Sequence, residues 1–480
     1  LIPGATAVLL ATAVASPGLV TYHLALGHDP RVRVEIQIPP ARAACPRTLV
    51  MPRAIPMGYG EQPYDRFVTG LQAFGTDGRS LEVKREEGPR WSLGATGQTL
   101  DRLAYEIDLA RMEETVLSAS DTSKWRDGYV SLLGYSVFGF VEGLESLPLV
   151  LDVQAPEDWP VFSTLAPSVP PPRGHTGASA ADFYALADAQ VIAGPRAQWR
   201  ALRSSPTPLF LACYSEAADE VDHEGLGRLV GEAFDAVVAY FGGAPLARYT
   251  AQQEYLRPRS EAHRYGLSME HLESATFYLA ADQVLRTTAD EVTRSRTLYN
   301  FAHHIAHAWV PKRCSGPGYF PFPWELAPLL DSIWFSEGFG QYAAIDALAA
   351  RLPSHEAAAY RDRLVERRFR QSLAEAPAFL LRMPLVELSY VASTRYGEDF
   401  RTGRTVFARG GLMAAEMDQE IRRATAGRAS LRDGLRALVA WSARERQPFA
   451  IADLPDHLRK ATGVDVRSIY DRWLAPVALR

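Results

Sequence analysis

The stretch "YNFAHHIAHAWVPKR" (residues 299–313) decides how the rest of the chain is read. On a helix, His303 and His307 stand four positions apart and project from one face, so their imidazoles can share one tetrahedral metal ion. Between them, where a hydrolytic H-E-x-x-H helix carries a carboxylate, stands His304. The spacing alone is weak: with 11 histidines in 480 residues, such a pair arises by chance roughly one time in four. A structural pair therefore stays open. The stretch "SIWFSEGFGQYAA" (332–344) narrows the choice, because it reads as the next helix and sets Glu337 among Trp334, Phe335 and Phe339. An acid in that apolar setting is seldom simply solvated. It supplies a third ligand and leaves a fourth coordination position free.

The chain as a whole is ordinary in composition, 47% hydrophobic and 22% charged, and long enough for two to four domains. A formal net charge of -5 gives no electrostatic case for nucleic acid. Lysine occurs only at Lys84, Lys124, Lys312 and Lys460; the other cationic residues are arginines, scattered and forming no basic stripe. Cys45, Cys213 and Cys314 are far apart and show no C-x-x-C spacing, so neither a disulfide framework nor a cysteine zinc site is indicated; a single disulfide stays open. The N-terminal "LIPGATAVLLATAVASPG" is apolar, and Ala13-Val14-Ala15 before Ser16 has the form of a signal-peptidase site. It lacks an initiator Met and a basic start, so residues 1–18 are expected to be the remnant of an export signal on a periplasmic or secreted protein. No later run reaches the roughly 18 apolar residues of a spanning helix.

Along the chain, "LVTYHLAL", "RVRVEIQI", "RFVTGLQAFG", "RLAYEIDL" and "LPLVLDV" alternate as half-buried strands do, separated by Gly, Pro and Asp turns. They predict an antiparallel β-sandwich over 19–205, with "LAPSVPPPRGHTG" (165–177) as a linker or surface loop. After Pro206, "PLFLACYS" and "ATFYLA" read as strands and "GLGRLVGEAFDAVVAYFGG" as a glycine-closed helix. Two helices are expected near 296–310 and 325–350, closing an α/β unit over 206–350. From 351 to 480 the pattern is amphipathic helix. The fold class is multidomain α+β.

These segments together resemble the glycyl aminopeptidase family of zinc metallopeptidases, gluzincins related to thermolysin and to the alanyl aminopeptidases. "HIAHAWVPKR" resembles the family's H-E-x-x-H-x-W-N-x-K-R, and "LLDSIWFSEGFGQYAA" its W-x-x-E-G-F helix. "YGLSMEHLES" resembles G-G-x-E-H through Gly266, Glu270 and His271, and "VFARGG" resembles Y-x-K-G through Arg409 and Gly410. "VMPRAIPMGYGEQPYDRFVTGLQAFGTDGRSLEVKR" follows the family's strand–turn–strand run, and "TGVDVRSIYDRW" its last helices. The resemblance covers nearly the whole chain from about residue 19. It implies a β-sandwich, a thermolysin-like catalytic domain and a helical region, with the family's common C-terminal PDZ domain absent before Arg480. It implies one zinc ion on His303, His307 and Glu337, and Glu270 with His271 at the substrate end, the carboxylate suiting the free α-amine of a Gly or Ala N-terminus.

The departures are as informative. His304 replaces the glutamate that works as general base, Phe407 replaces the tyrosine that donates to the oxyanion, and Val310 replaces an asparagine. General acid–base catalysis is worth about 100- to 10,000-fold and one oxyanion donor about 100- to 1000-fold. Efficient peptide hydrolysis is therefore expected to be impaired. A neutral His304 can itself act as a base, and Tyr396 or Tyr342 can supply a hydroxyl from elsewhere. Three readings follow: an aminopeptidase-like zinc protein, an inactive pseudopeptidase that binds peptides or a partner, and a metalloenzyme repurposed for a non-peptide small molecule.

Overall fold

A computed structural model describes residues 18–286, 288 and 290–477. The leader read as an export-signal remnant lies, apart from Gly18, outside them. Among the described residues no helix is long and apolar enough to cross a membrane.

The five alternating segments all fall in one seven-stranded sheet, ordered His175–Ala180, Leu149–Gln154, Val20–Ala25, Arg31–Gln37, Leu100–Asp108, Val68–Gly75 and Ser80–Leu81. Alternation builds it: in Arg31–Gln37 the even positions Val32, Val34 and Ile36 are buried and the arginines between them are exposed. One pair departs from the antiparallel expectation. Val20–Ala25 runs parallel to Leu149–Gln154, which is possible because the intervening chain is long enough for a crossover. Two four-stranded sheets lie against it, one including Tyr129–Leu133 and Gln190–Ala193, the other Arg47–Val50 and Arg90–Leu93. A single apolar cluster joins them, with Val34, Leu103 and Tyr105 meeting Leu49, Val130 and Leu132.

The next sheet has five strands, ordered Gln198–Arg203, Leu209–Ser215, Tyr249–Leu256, Ser274–Ala280 and Leu267–Glu270. The middle three run parallel and the two edges antiparallel. Its first strand, Gln198–Arg203, lies in the stretch read as sandwich and linker. The helix His223–Phe241 makes the crossover between two parallel strands. Asp222 caps its start on Gly225 N at 2.7 Å, and Gly242 ends it at φ 80°.

The two helices expected next have other bounds: the first begins and ends earlier than 296–310, and the second is shorter than 325–350. The first, Glu291–Ala306, starts on an Asp290 cap, and His307 is its C-cap; Pro311, with no N–H to donate, cannot continue it. The second begins only after the proline-containing segment 323–328, as a π-helical turn Trp334–Phe339 that passes into the α-helix Gly340–Ala349. The C-terminal region is helical, its longest element Phe400–Ala424 packed on the π turn. All three cysteines are free thiols.

Candidate metal centre and substrate cleft

Three donor atoms converge where the two expected helices cross. His303 Nε2 and His307 Nε2 are 2.8 Å apart, and Glu337 Oε2 is 3.4 Å from the first and 3.8 Å from the second. Tetrahedral ligands on bonds of ~2.0 Å stand about 3.3 Å from one another, so the set fits one zinc-sized ion with a position to spare. The surroundings fix each donor. His307 Nδ1–H donates to Val310 O at 2.9 Å, which leaves the Nε2 lone pair for a metal. Glu337 accepts from Tyr59 Oη at 3.0 Å and from Gln341 Nε2 at 3.4 Å. Burial first, then the neighbouring His307 and His304, hold the His303 pKa well below its ordinary value, so its ring is neutral.

Close packing sets the position of Glu337. The π turn crosses Phe400–Ala424 at glycines: a β-carbon on Gly338 would stand 2.4 Å from the Gly410 carbonyl carbon, and one on Gly410 1.9 Å from Trp334 O. Arg409, fully buried, holds the long helix by donating to the carbonyls of Met383, Trp473 and Ala475. The "ARGG" segment thus aligns a ligand and does not touch it.

Glu270 ends the edge strand Leu267–Glu270, and its carboxylate lies within 4.8 Å of donor atoms of both His307 and Glu337. Burial opposes its charge, but His307, His304 and Lys312 outweigh burial and hold the carboxyl well below its usual range. For Glu337 burial wins, and its pKa is raised. His304 stands between metal donors and Glu270. A ring nitrogen lies within 4.8 Å of the His303 and His307 donors, and Nδ1 faces Glu270 Oε2 at 3.6 Å without a hydrogen-bond partner. Phe277 meets its ring edge-on at 5.4 Å.

Two expected site residues lie elsewhere. His271 is turned away from Glu270, as successive residues along an extended chain are. It is 1% exposed, with Nδ1 on Asp188 at 3.2 Å. Asp188 also meets Lys312 Nζ at 3.3 Å, and Lys312 donates to Pro56 O. This knot ties the sandwich to the end of the histidine helix. Tyr342 donates to Asp418 at 2.7 Å, within the helical region. Phe407 packs on Tyr396, ring centres 6.0 Å apart. Tyr396 is electrostatically coupled to both Glu337 and Glu270 and stands 5.5 Å, ring to ring, from Tyr59.

Tyr59 was not singled out from sequence. It belongs to the tight turn 55–60 of the sandwich, where Met57 has φ 53° and Gly60 N donates to Ser393 O. An aromatic residue between glycines was the only signal. Its role depends on a contact 278 residues away.

Comparisons with known proteins bear on the fold that carries this site. Residues 21–195 match the sequence model of the Peptidase M61 N-terminal domain. An aminopeptidase N family protein from Idiomarina loihiensis superposes with a TM-score of 0.81 at 18% identity, over 96% of this chain and 77% of that one. A mutant M1 zinc metallopeptidase from Deinococcus radiodurans, bound to a Tyr-Ser-Ala substrate, gives 0.55 at 15%, over 96% and 94%. Native yeast LTA4 hydrolase gives 0.56 at 10%, over 96% and 68%. No curated protein matches. The fold is therefore that of the M61/M1 metallopeptidases, with an N-terminal domain of the Peptidase M61 type. The Deinococcus radiodurans neighbours of that fold are zinc metallopeptidases.

Proposed function

We propose that this chain is a zinc-binding, aminopeptidase-like hydrolase of the glycyl aminopeptidase type, acting on the free amino end of short peptides with weakened or altered chemistry. The observation that carries the reading is the convergence of His303, His307 and Glu337 within 3.8 Å, with a second buried carboxylate, Glu270, beside them. Zinc there would supply Lewis acidity toward a carbonyl or a water. The other tasks fall to the chain. Glu270, anionic and buried, pairs with the substrate ammonium and sets which bond is presented. His304 takes a proton from the attacking water on one nitrogen, and the Glu270 carboxylate, 3.6 Å from Nδ1, stabilises the imidazolium that forms.

Tyr396 supplies the hydroxyl that Phe407 lacks. Its ring lies in a recess that only a glycine permits, since a β-carbon on Gly403 would meet the ring carbons at 2.6 Å. Phe407 supports that ring from behind. Burial, followed by the charges of Glu337 and Glu270, keeps the phenol protonated and able to donate. A binding or repurposed role draws its support from the same two replacements.

Hydrolysis of glycyl and alanyl anilides by zinc-loaded protein decides the matter. Wild type is expected to be slow, Glu337→Ala inactive, and His304→Glu faster by about 100-fold or more. Inactivity of both wild type and His304→Glu would sink the peptidase reading in favour of a binding role or another substrate.

A further inference from the structure

One face of the histidine helix carries a feature that metal and amine binding leave unused. Between that helix and the helix Ser354–Val365, with its continuation Glu366–Arg370, lies a cleft of about 280 Å³. Four arginines line it: Arg296, Arg363, Arg367 and Arg368. Some exposed arginines on nearby helices have acidic partners, as Arg370 has Glu366 and Arg401 has Asp399. These four have no carboxylate within 4.0 Å among the described residues, and Glu291 is the one acid on the lining. Like charges gather at a cost unless an anion offsets them.

The cleft is one side chain from the metal donors. Its floor is Tyr299, whose ring stacks on His303 at 6.1 Å and 25°. The Tyr299 hydroxyl donates to Gln341, which in turn donates to Glu337. The Arg368 guanidinium lies 4.2 Å from the centre of the Tyr299 ring. A planar, weakly hydrated cation on an aromatic shelf is a good receptor for an oxyanion, because its N–H fork matches two oxygens at once.

We infer that this arginine cleft is an anion subsite that holds a carboxylate, or a like oxyanion, of the substrate whose amino end meets Glu270. The inference rests on the hydrolase reading for the amino end, but not for the arginines. It makes short zwitterionic peptides, or peptides with an acidic side chain near the cut, the substrate class.

Calorimetric titration of the full-length chain tests it in two stages. Sulfate is first titrated against chelator-treated protein, where neither metal nor hydrolysis is involved. Its affinity is expected to fall by about 10-fold in Arg363→Gln/Arg367→Gln, both exposed positions, and separately in Arg368→Gln. Tri-alanine, its C-terminal amide and Ala-Ala-Glu-amide are then compared on zinc-loaded protein. The free acid is expected to bind about 10-fold tighter than the amide, and that margin is expected to vanish in the double variant. Tight binding of Ala-Ala-Glu-amide instead assigns the subsite to a side-chain carboxylate. Equal sulfate affinity in wild type and both variants, or equal affinity of all three peptides in wild type, overturns the inference. Arginine-dependent sulfate binding in a protein that hydrolyses nothing leaves the subsite standing and removes only the peptidase reading.

Discussion

Two buried charged clusters in this molecule are built in opposite ways. Where the sandwich meets the five-stranded sheet, Arg126 makes a bidentate pair with Glu113 at 2.5 and 2.6 Å. Its Nε donates to Glu216 at 3.0 Å, and Arg259 adds a second cation to Glu113. Burial pushes Glu113 up, but the hydrogen bond and charge of Arg126 win and lower its pKa. In the cleft, His304 Nδ1 is equally buried yet lacks a hydrogen-bond partner, and its nearest carboxylate oxygen is 3.6 Å away. A cluster that only holds elements together is closed on itself. The cluster at the candidate centre is left short of partners, at a cost in stability. The metal donors are intermediate: their outer atoms are tied to Val310, Tyr59 and Gln341 while their inner atoms face one another.

The comparison is broken most forcefully at Glu113. Glu113→Ala leaves the Arg126 guanidinium buried without its main partner and is expected to cost about 3–5 kcal/mol in denaturant unfolding, with metal content unchanged. Because the folded pKa of Glu113 is lowered, its stabilisation is full above the ordinary carboxylate range, near about 4.3, and is lost as pH falls through the lower folded value. Glu113→Gln should therefore flatten the stability loss below about pH 4. A fall in zinc content without loss of stability would show that the cluster belongs to the site after all.

Next in size is Tyr396→Phe. In whichever of wild type and His304→Glu hydrolyses anilides, kcat is expected to drop about 100- to 1000-fold at nearly unchanged KM. An equal kcat would mean that the phenol is packing alone. Smallest is Tyr59→Phe, which removes one hydrogen bond behind a ligand. Zinc affinity, measured by chelator competition, is expected to weaken about 10-fold. No change would show that Gln341 alone orients Glu337.

Much of this was legible in sequence. Period-2 alternation located the five strands of the large sheet, because each buries one face. The i, i+4 spacing put His303 and His307 together, since helical geometry fixes that pair locally. The W-F-x-E-G-F context brought Glu337 to them, and Glu270 reached the same cleft. The two helix boundaries were overrun because apolar periodicity continues through residues that prolines remove from the helix.

Local sequence is enough to read the order of regions along the fold, the convergence of His303, His307 and Glu337, and the replacement of the expected glutamate and tyrosine by His304 and Phe407. Each of these depends on neighbours within a turn or two, or on the identity of one residue. Which polar groups close on one another emerges in the folded chain alone. Folding turned His271 into the Asp188 knot, sent Tyr342 to Asp418, brought Tyr59 across from the sandwich to Glu337, and gathered four arginines from two helices beside Tyr299. Those pairings join residues tens to hundreds of positions apart. No local pattern encodes them, because long-range packing, and not local periodicity, sets which side chains share a cavity.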